Sequence, residues 1–376
     1  MRFDSFGSSG RNDGSHTRRF LRLERAAFNV RANKPREEIQ MSLTQKLIND
    51  GGAVVDEMLA GIAAAHPEHA CLLENAPRAL VAKNGPRKGK VALIVGGGSG
   101  HEPTFLGYVG KGLADACAVG NVFASPPPQP VVDAAIAVNG DAGVLFLYGN
   151  YAGDVMNFDM AAELLEMEGI EARTVLTTDD IASAPRDQRE KRRGVAGNVF
   201  IFKAAGAAAD LMMPIDEVER VARHANDRTY TIGVALSSCS LPQTRRPNFD
   251  LPAGEMEIGM GIHGEPGIRR GPLRTANEVA DEIMDAILAE MDAPAGARVA
   301  VLVNSLGSTP LMELYILNKR VSERLAEAGL TVHKTLVGPY CTSLEMAGAS
   351  ITVMHLDDEL QRLIDHPCDC VMFRQG

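Results

Sequence analysis

Val91-Ala92-Leu93-Ile94-Val95-Gly96-Gly97-Gly98-Ser99-Gly100-His101-Glu102-Pro103 is the stretch that decides the fold class of this chain. Residues 91–95 form a short apolar run rich in β-branched side chains, which is a buried strand, and three glycines then stop it in a sharp loop. Working outward, strands are expected at 144–148 and 174–176 and a helix at 161–168, while Val54, Met58, Leu59 and Ile62 mark an earlier helical stripe. Helices at 200–209 and 215–225 close this series. A second series follows: strand 231–236, helix 278–290, strand 297–303, helix 311–328, then strands 331–336 and 350–354. Strands alternating with helices imply an α/β fold of two α/β domains, with mostly parallel sheets flanked by helices. The break falls near 222–230, giving a glycine-loop domain over 41–225 and a second domain over 226–376. No repeat is strong enough to make the halves duplicates.

Residues 1–40 differ, with eight arginines, five acids and Gly/Ser/Asn-rich segments but no sustained apolar period. Such a segment buries too little to order itself, and its acids do not suit a transit peptide. It is expected to be a disordered or leader extension, with Met41 opening the domain.

The 376 residues are 45% hydrophobic, ample for large cores, and carry a net charge of −10. That balance argues against nucleic acid or an anionic membrane as the main partner, since both require a basic face. No apolar run approaches the ~20 residues of a membrane span. The six cysteines are scattered, and with no secretory signal they are expected to stay reduced in the cytoplasm. His366, Cys368 and Cys370 lie close together but match no standard zinc spacing. His66, His69, His224, His333 and His355 show no partner pattern and are expected to be surface or helix-end groups. No metal set is expected.

The glycine loop fails both nucleotide patterns. A Walker loop requires lysine where His101 stands, and a dinucleotide fingerprint requires a final glycine where His101 or Pro103 stands. The zinc-protease pattern fails because Phe105 occupies the place of its second histidine. What remains is a backbone that a small polar ligand can approach, with one imidazole at its end, or else a tight structural turn with a hydrogen-bonded histidine.

A second glycine-flanked histidine lies 162 positions further on, in Gly261-Ile262-His263-Gly264-Glu265-Pro266-Gly267. A neutral imidazole nitrogen can add to a ketone carbon, and Glu265 is near enough in sequence to hold the ring's tautomer. The alternative is a satisfied loop histidine. Asp154 is the third candidate, at the end of a parallel strand where open α/β sheets place their ligands. It suits a base for a substrate hydroxyl, or a helix cap. Two imidazole loops so far apart read as halves of one site assembled by folding.

With these residues in hand, the chain resembles the dihydroxyacetone kinase substrate-binding (K) subunit family, from about residue 41 to the C-terminus. The markers are 96–103, the Gly-Asn-Val-Phe-Ala-Ser-Pro run at 120–126, 150–158 around Asp154, 255–267 around His263 and Pro-Tyr-Cys-Thr-Ser-Leu at 339–344. The resemblance implies that His263 bonds a short ketose as a hemiaminal, while His101 and Asp154 handle protons and Asp154 activates the terminal hydroxyl. It implies a substrate pocket lined by Gly98, Ser99, Gly100 and Ser125, and by position 149. The family usually has lysine there; this chain has Gly149, which removes a cation and suits a larger ketose such as the four-carbon erythrulose. The segment between 290 and 299 also looks short for the family. ATP or ADP with Mg²⁺ is implied on a separate helical L subunit, so this chain binds no nucleotide cofactor itself. A homodimer is implied as well, and a non-catalytic ketose-binding co-regulator is the alternative function.

Overall fold

The computed structural model describes residues 43–376; the readings for 1–40 and for a start at Met41 lie outside them. The chain opens with α1 (Val54–Ala65), β1 (Ala70–Leu73), β2 (Ala76–Ala82), β3 (Ala92–Ser99), β4 (Gly110–Lys111) and β5 (Ala116–Val122). It continues through α2 (Pro128–Val138), β6 (Val144–Gly149), α3 (Ala152–Met167), β7 (Ala172–Thr177), α4 (Asn198–Asp210) and α5 (Ile215–Asp227). The six-stranded first sheet runs β1-β2-β5-β3-β6-β7. Its central strands are parallel, β3 pairing with β5 and β6, and β6 with β7.

β8 (Thr229–Ala235), β9 (Glu255–Ile258), β10 (Arg269–Pro272), α6 (Ala276–Met291), β11 (Arg298–Ser305), α7 (Leu311–Glu327), β12 (Thr331–Gly338) and β13 (Gly348–Leu356) build the second half. Their sheet runs β10-β9-β8-β13-β11-β12. The α/β class with two helix-flanked sheets is therefore as expected, but the parallel character fails in the second sheet. There only β11–β12 is parallel, and the other four pairings are antiparallel. A parallel return needs a crossover of a dozen or more residues. Residues 259–268 between β9 and β10, and 339–347 between β12 and β13, contain no such helix, so those strands reverse direction.

The chain then turns back to the first half through α8 (Asp358–Asp365), β14 (Cys368–Cys370) and β15 (Arg374–Gln375), with β14 pairing to β4. One apolar core runs between the sheets: Leu93, Phe202, Ala300, Leu302, Met354 and Phe373 are all buried in it. Burial of each of the leucines, phenylalanines and the methionine among them contributes about 1.5–3 kcal/mol. Residues 198–209 of α4 are buried on every face, as befits a helix inside that core. Among the described residues no helix is long and apolar enough to cross a membrane.

The glycines do not end β3, as the sequence suggests; the strand continues through them to Ser99. A Cβ on Gly96 would lie 2.7 Å from the Ala118 carbonyl oxygen, and one on Gly98 would lie 2.7 Å from the Ala124 nitrogen. The glycines thus let β5 and its following turn press against β3. The ends of β3, β5 and β6 all open at one edge, where parallel sheets present ligand sites.

Candidate functional site

His101 follows the end of β3 and is 1% exposed. Its Nδ1 lies 2.8 Å from the Thr342 carbonyl, to which it must donate, so Nε2 carries the lone pair. That Nε2 is buried with no partner. Burial, helped by the nearby His263 charge, pushes the imidazole down to about 3, so the ring is neutral at physiological pH. Phe123, from the turn after β5, stacks on it at 4.9 Å. The loop between β12 and β13 fixes the backbone: Thr342 N–H donates to His101 O (3.1 Å) and Leu344 N–H to Gly100 O (2.8 Å). These bonds tie the first sheet's loop to the second sheet.

His263 comes from the loop between β9 and β10, and its ring centroid lies 4.8 Å from that of His101. Its Nδ1 is 2.7 Å from Glu265 Oε1, while its backbone N–H donates to Oε2 (2.9 Å). Asn248 Nδ2 donates to its carbonyl at 2.5 Å, and Ser343 Oγ donates to that of Ile262 at 2.5 Å. Burial would raise the Glu265 carboxyl, yet the His263 hydrogen bond and charge, with Arg193, hold it at about 2. A permanent carboxylate at Nδ1 fixes the proton there and leaves Nε2 with the free lone pair. Arg193 is itself anchored, donating to Asp180 (2.9 Å) and to the Gly259 carbonyl (3.0 Å). Tyr151 and Phe123 meet the His263 ring edge-on, at 4.8 and 5.3 Å.

Asp154 sits in the first turn of α3 and is 8% exposed. Its Oδ1 is buried without a partner, so its side chain caps nothing through that atom. Burial raises its carboxyl to about 6, opposed by a hydrogen bond from Ser125 and by the charge of His263. A carboxylate poised there is a far stronger base near neutrality than an imidazole held at about 3.

Folding therefore brings together His101, Asp154, His263 and Ser125. Ser99 is placed differently: its hydroxyl donates to the Gly120 carbonyl (2.8 Å), so only backbone is left there for a ligand. The Gly100 N–H is already bonded to Glu102 (2.9 Å). Gly149 ends β6, where a Cβ would lie 2.9 Å from the Tyr151 ring. Gly98 packs on the turn after β5, as described above. Sequence reading missed Phe123, Tyr151, Arg193, Asn248 and Thr342. Phe123, Tyr151 and Thr342 lie inside the family's motifs, whereas nothing local marks Arg193 or Asn248.

Several histidines given no partner in the sequence reading face carboxylates instead. His224 lies 2.6 Å from Asp357, His333 lies 2.7 Å from Asp365, and the buried His69 lies 3.0 Å from Asp369. His366 pairs with Asp210 at 2.7 Å, apart from any cysteine cluster role. Each partner is more than 30 residues away in sequence.

The chain belongs to the Dak1 domain family, whose model matches residues 60–372. This is the family of dihydroxyacetone-kinase substrate subunits that the sequence motifs resemble. It is 51% identical to the PTS-dependent dihydroxyacetone kinase 2, dihydroxyacetone-binding subunit DhaK, of Listeria innocua, covering 88% of this chain and 99% of that protein. It is 44% identical to the L-erythrulose kinase of Pectobacterium atrosepticum over 88% of this chain, but spans only 56% of that protein's length. The solved dihydroxyacetone kinase of C. freundii superposes with a TM-score of 0.81 at 33% identity, covering 88% of this chain and 60% of that one.

Proposed function

We propose that this chain is the substrate-binding subunit of a kinase for a short ketose of three or four carbons, held on His263 as a hemiaminal. The observation that carries the proposal is a pair of orphaned buried polar atoms, His101 Nε2 and Asp154 Oδ1, beside a histidine whose tautomer is fixed by Glu265. Orphaned buried groups are costly unless a ligand satisfies them.

The geometry supports the following chemistry. His263 Nε2 adds to the carbonyl carbon, the C=O π bond opens, and the oxygen takes up one proton from solvent. The alkylated ring keeps its Nδ1–H against Glu265, whose carboxylate balances the imidazolium charge. A polyol such as glycerol has no carbonyl and forms no adduct. His101, neutral and fixed by Thr342, accepts a hydrogen bond from a substrate hydroxyl. Asp154 takes the proton from the terminal hydroxyl as its oxygen attacks the phosphoryl group.

That group arrives on a nucleotide-binding L subunit with Mg²⁺, either from ATP or from an ADP first phosphorylated by a phosphotransferase protein, and ADP leaves as the substrate O–P bond forms, so catalysis here rests on positioning and one proton transfer. The six unpaired cysteines support work in a reducing cytoplasm. A homodimer is supported by an exposed apolar face on α7, formed by Leu311, Met312, Tyr315 and Ile316. The unpartnered Oδ1 of Asp154 supports the kinase over a ketose-binding co-regulator, which needs no base.

The test is carbon NMR with a ketose labelled at its carbonyl carbon. Wild type should give a bound resonance distinct from the free ketone and its hydrate, and His263→Ala should abolish it. An unchanged bound signal in that variant overturns the covalent role. Mixing the chain with a cognate L subunit and a panel of three- and four-carbon ketoses then separates kinase from co-regulator and fixes the substrate.

A further inference from the structure

A second group of donors lies outside the ketose site, on the turn between α1 and β1. His66, Glu68 and His69 each offer a ligand atom, and these atoms all lie within 4.8 Å of one another. The turn makes this arrangement. His69 N–H donates to the His66 carbonyl (3.0 Å), Ala70 N–H reaches the same oxygen (3.3 Å), and Pro67 stiffens the link. His69 is further pinned by its own carbonyl, which accepts from Lys83 N–H at 2.8 Å.

His69 is the informative member. It is 8% exposed, and its Nε2 lies 3.0 Å from Asp369 Oδ1 on β14. With Nε2–H donated to that carboxylate, Nδ1 is a bare lone pair. That Nδ1 is buried with no hydrogen-bond partner, although Glu68 Oε1 is 2.9 Å away. Two lone-pair donors this close repel unless a proton or a metal cation is shared between them. A carboxylate behind a histidine, with the other ring nitrogen turned to open donors, is how metal-binding imidazoles are oriented. Arg374 also acts here, donating to Asp369 through Nε (2.5 Å), with Nη2 3.1 Å from His69 Nε2.

We propose that His66, Glu68 and His69 form a site for a borderline transition-metal dication, Zn²⁺ foremost, with water completing the shell and Asp369 orienting His69. Two imidazoles and one carboxylate suit Zn²⁺, Co²⁺ or Ni²⁺, and do not suit Mg²⁺ or Ca²⁺, which take oxygen ligands. The ion clips the end of α1 to the C-terminal strands β14 and β15 through His69 and Asp369. It stands apart from His101, Asp154 and His263 and takes no part in their chemistry.

The experiment uses the full chain without an affinity tag, stripped with a chelator and titrated with Zn²⁺ against a chromophoric competitor. One ion per chain is expected, together with a rise in melting temperature on adding Zn²⁺. His66→Ala at a half-buried position and Glu68→Gln at an exposed one should each weaken binding at least about ten-fold and remove most of the thermal shift. Asp369→Asn should weaken it about 10–100-fold with all three ligands in place. His333→Ala should change nothing. In the competing arrangement Arg374 donates to His69 Nε2 and an Nδ1–H serves Glu68, which leaves no lone pair for a metal. Absence of stoichiometric uptake, or equal affinity in wild type, His66→Ala and Glu68→Gln, would establish that arrangement and overturn the site.

Discussion

At the scale of single residues, Asp154 carries two linked predictions. Its carboxyl is raised from 3.8 to about 6, chiefly by burial. A raised acid favours the folded state below its unfolded value of 3.8, and that contribution is lost as pH climbs through about 6. At about 1.36 kcal/mol per pKa unit, the ionised group costs the native state on the order of 2–3 kcal/mol at neutral pH. Asp154→Asn should therefore raise the melting temperature at pH 7 while removing phosphorylation, with adduct formation retained. A variant that lost stability along with activity would make Asp154 a structural residue. In the wild type, kcat/KM of the assembled kinase should fall as pH drops below about 6, where the base becomes protonated. Glu265 is a positioning residue, and its prediction is of another kind. Glu265→Gln removes the fixed negative charge that holds the Nδ1 proton and balances the imidazolium. Adduct affinity should drop about 10–100-fold, by analogy with loss of a carboxylate behind a working histidine, and the loss should appear in the ketose titration of the chain alone. Glu265→Asp should restore part of it.

At the scale of elements, Gly100 couples backbone to site. Its φ is +99°, and an added Cβ would lie 2.9 Å from the Phe123 ring that stacks on His101. Gly100→Ala should cost about 1–3 kcal/mol and weaken ketose binding, because Phe123 cannot yield without moving the imidazole. Gly61 in α1 is the contrast: a Cβ there meets nothing within 4 Å. Gly61→Ala should stabilise by about 0.5–1 kcal/mol and leave binding unchanged; thermal melts and titrations of both variants check the pair. The same comparison shows what the sequence makes legible. The strands and helices around the glycine loop, and the two histidine motifs, follow from apolar periodicity and turn residues, which are local signals. The antiparallel order of β8, β13 and β11 is not local: β13 pairs with strands begun about 50 and 120 residues earlier in the chain. Thr342 is legible only as part of a motif, since its carbonyl matters because it meets His101 from 241 residues away. Arg193 and Asn248 carry no pattern at all. Their roles come from ion pairs and backbone contacts that exist only after the 259–267 loop has docked.

At the scale of the whole molecule, α7 is apolar on two sides. Leu314, Leu317, Val321 and Leu325 enter the core, whereas Leu311, Met312, Tyr315 and Ile316 face solvent, each at least half exposed. Leu273, just before α6, is 56% exposed as well. Contiguous apolar surface on a chain of net charge −10 marks a contact face rather than a solvated one. The proposed occupant is a second copy of the chain, and the double variant Tyr315→Glu with Ile316→Glu should convert the proposed dimer to a monomer by placing like charges on the contact face. Light scattering reads the mass, and circular dichroism checks that the fold persists. The proposed ketose site draws its histidines from loops on both sheets of one chain, and its backbone ties between 100–101 and 342–344 are internal to that chain. Dimerisation is therefore not needed to complete it. Native mass spectrometry of the double variant should show a monomer that still carries one ketose. A persistent dimer would move the interface elsewhere, and a monomer unable to hold the ketose would mean that the partner copy shapes the pocket.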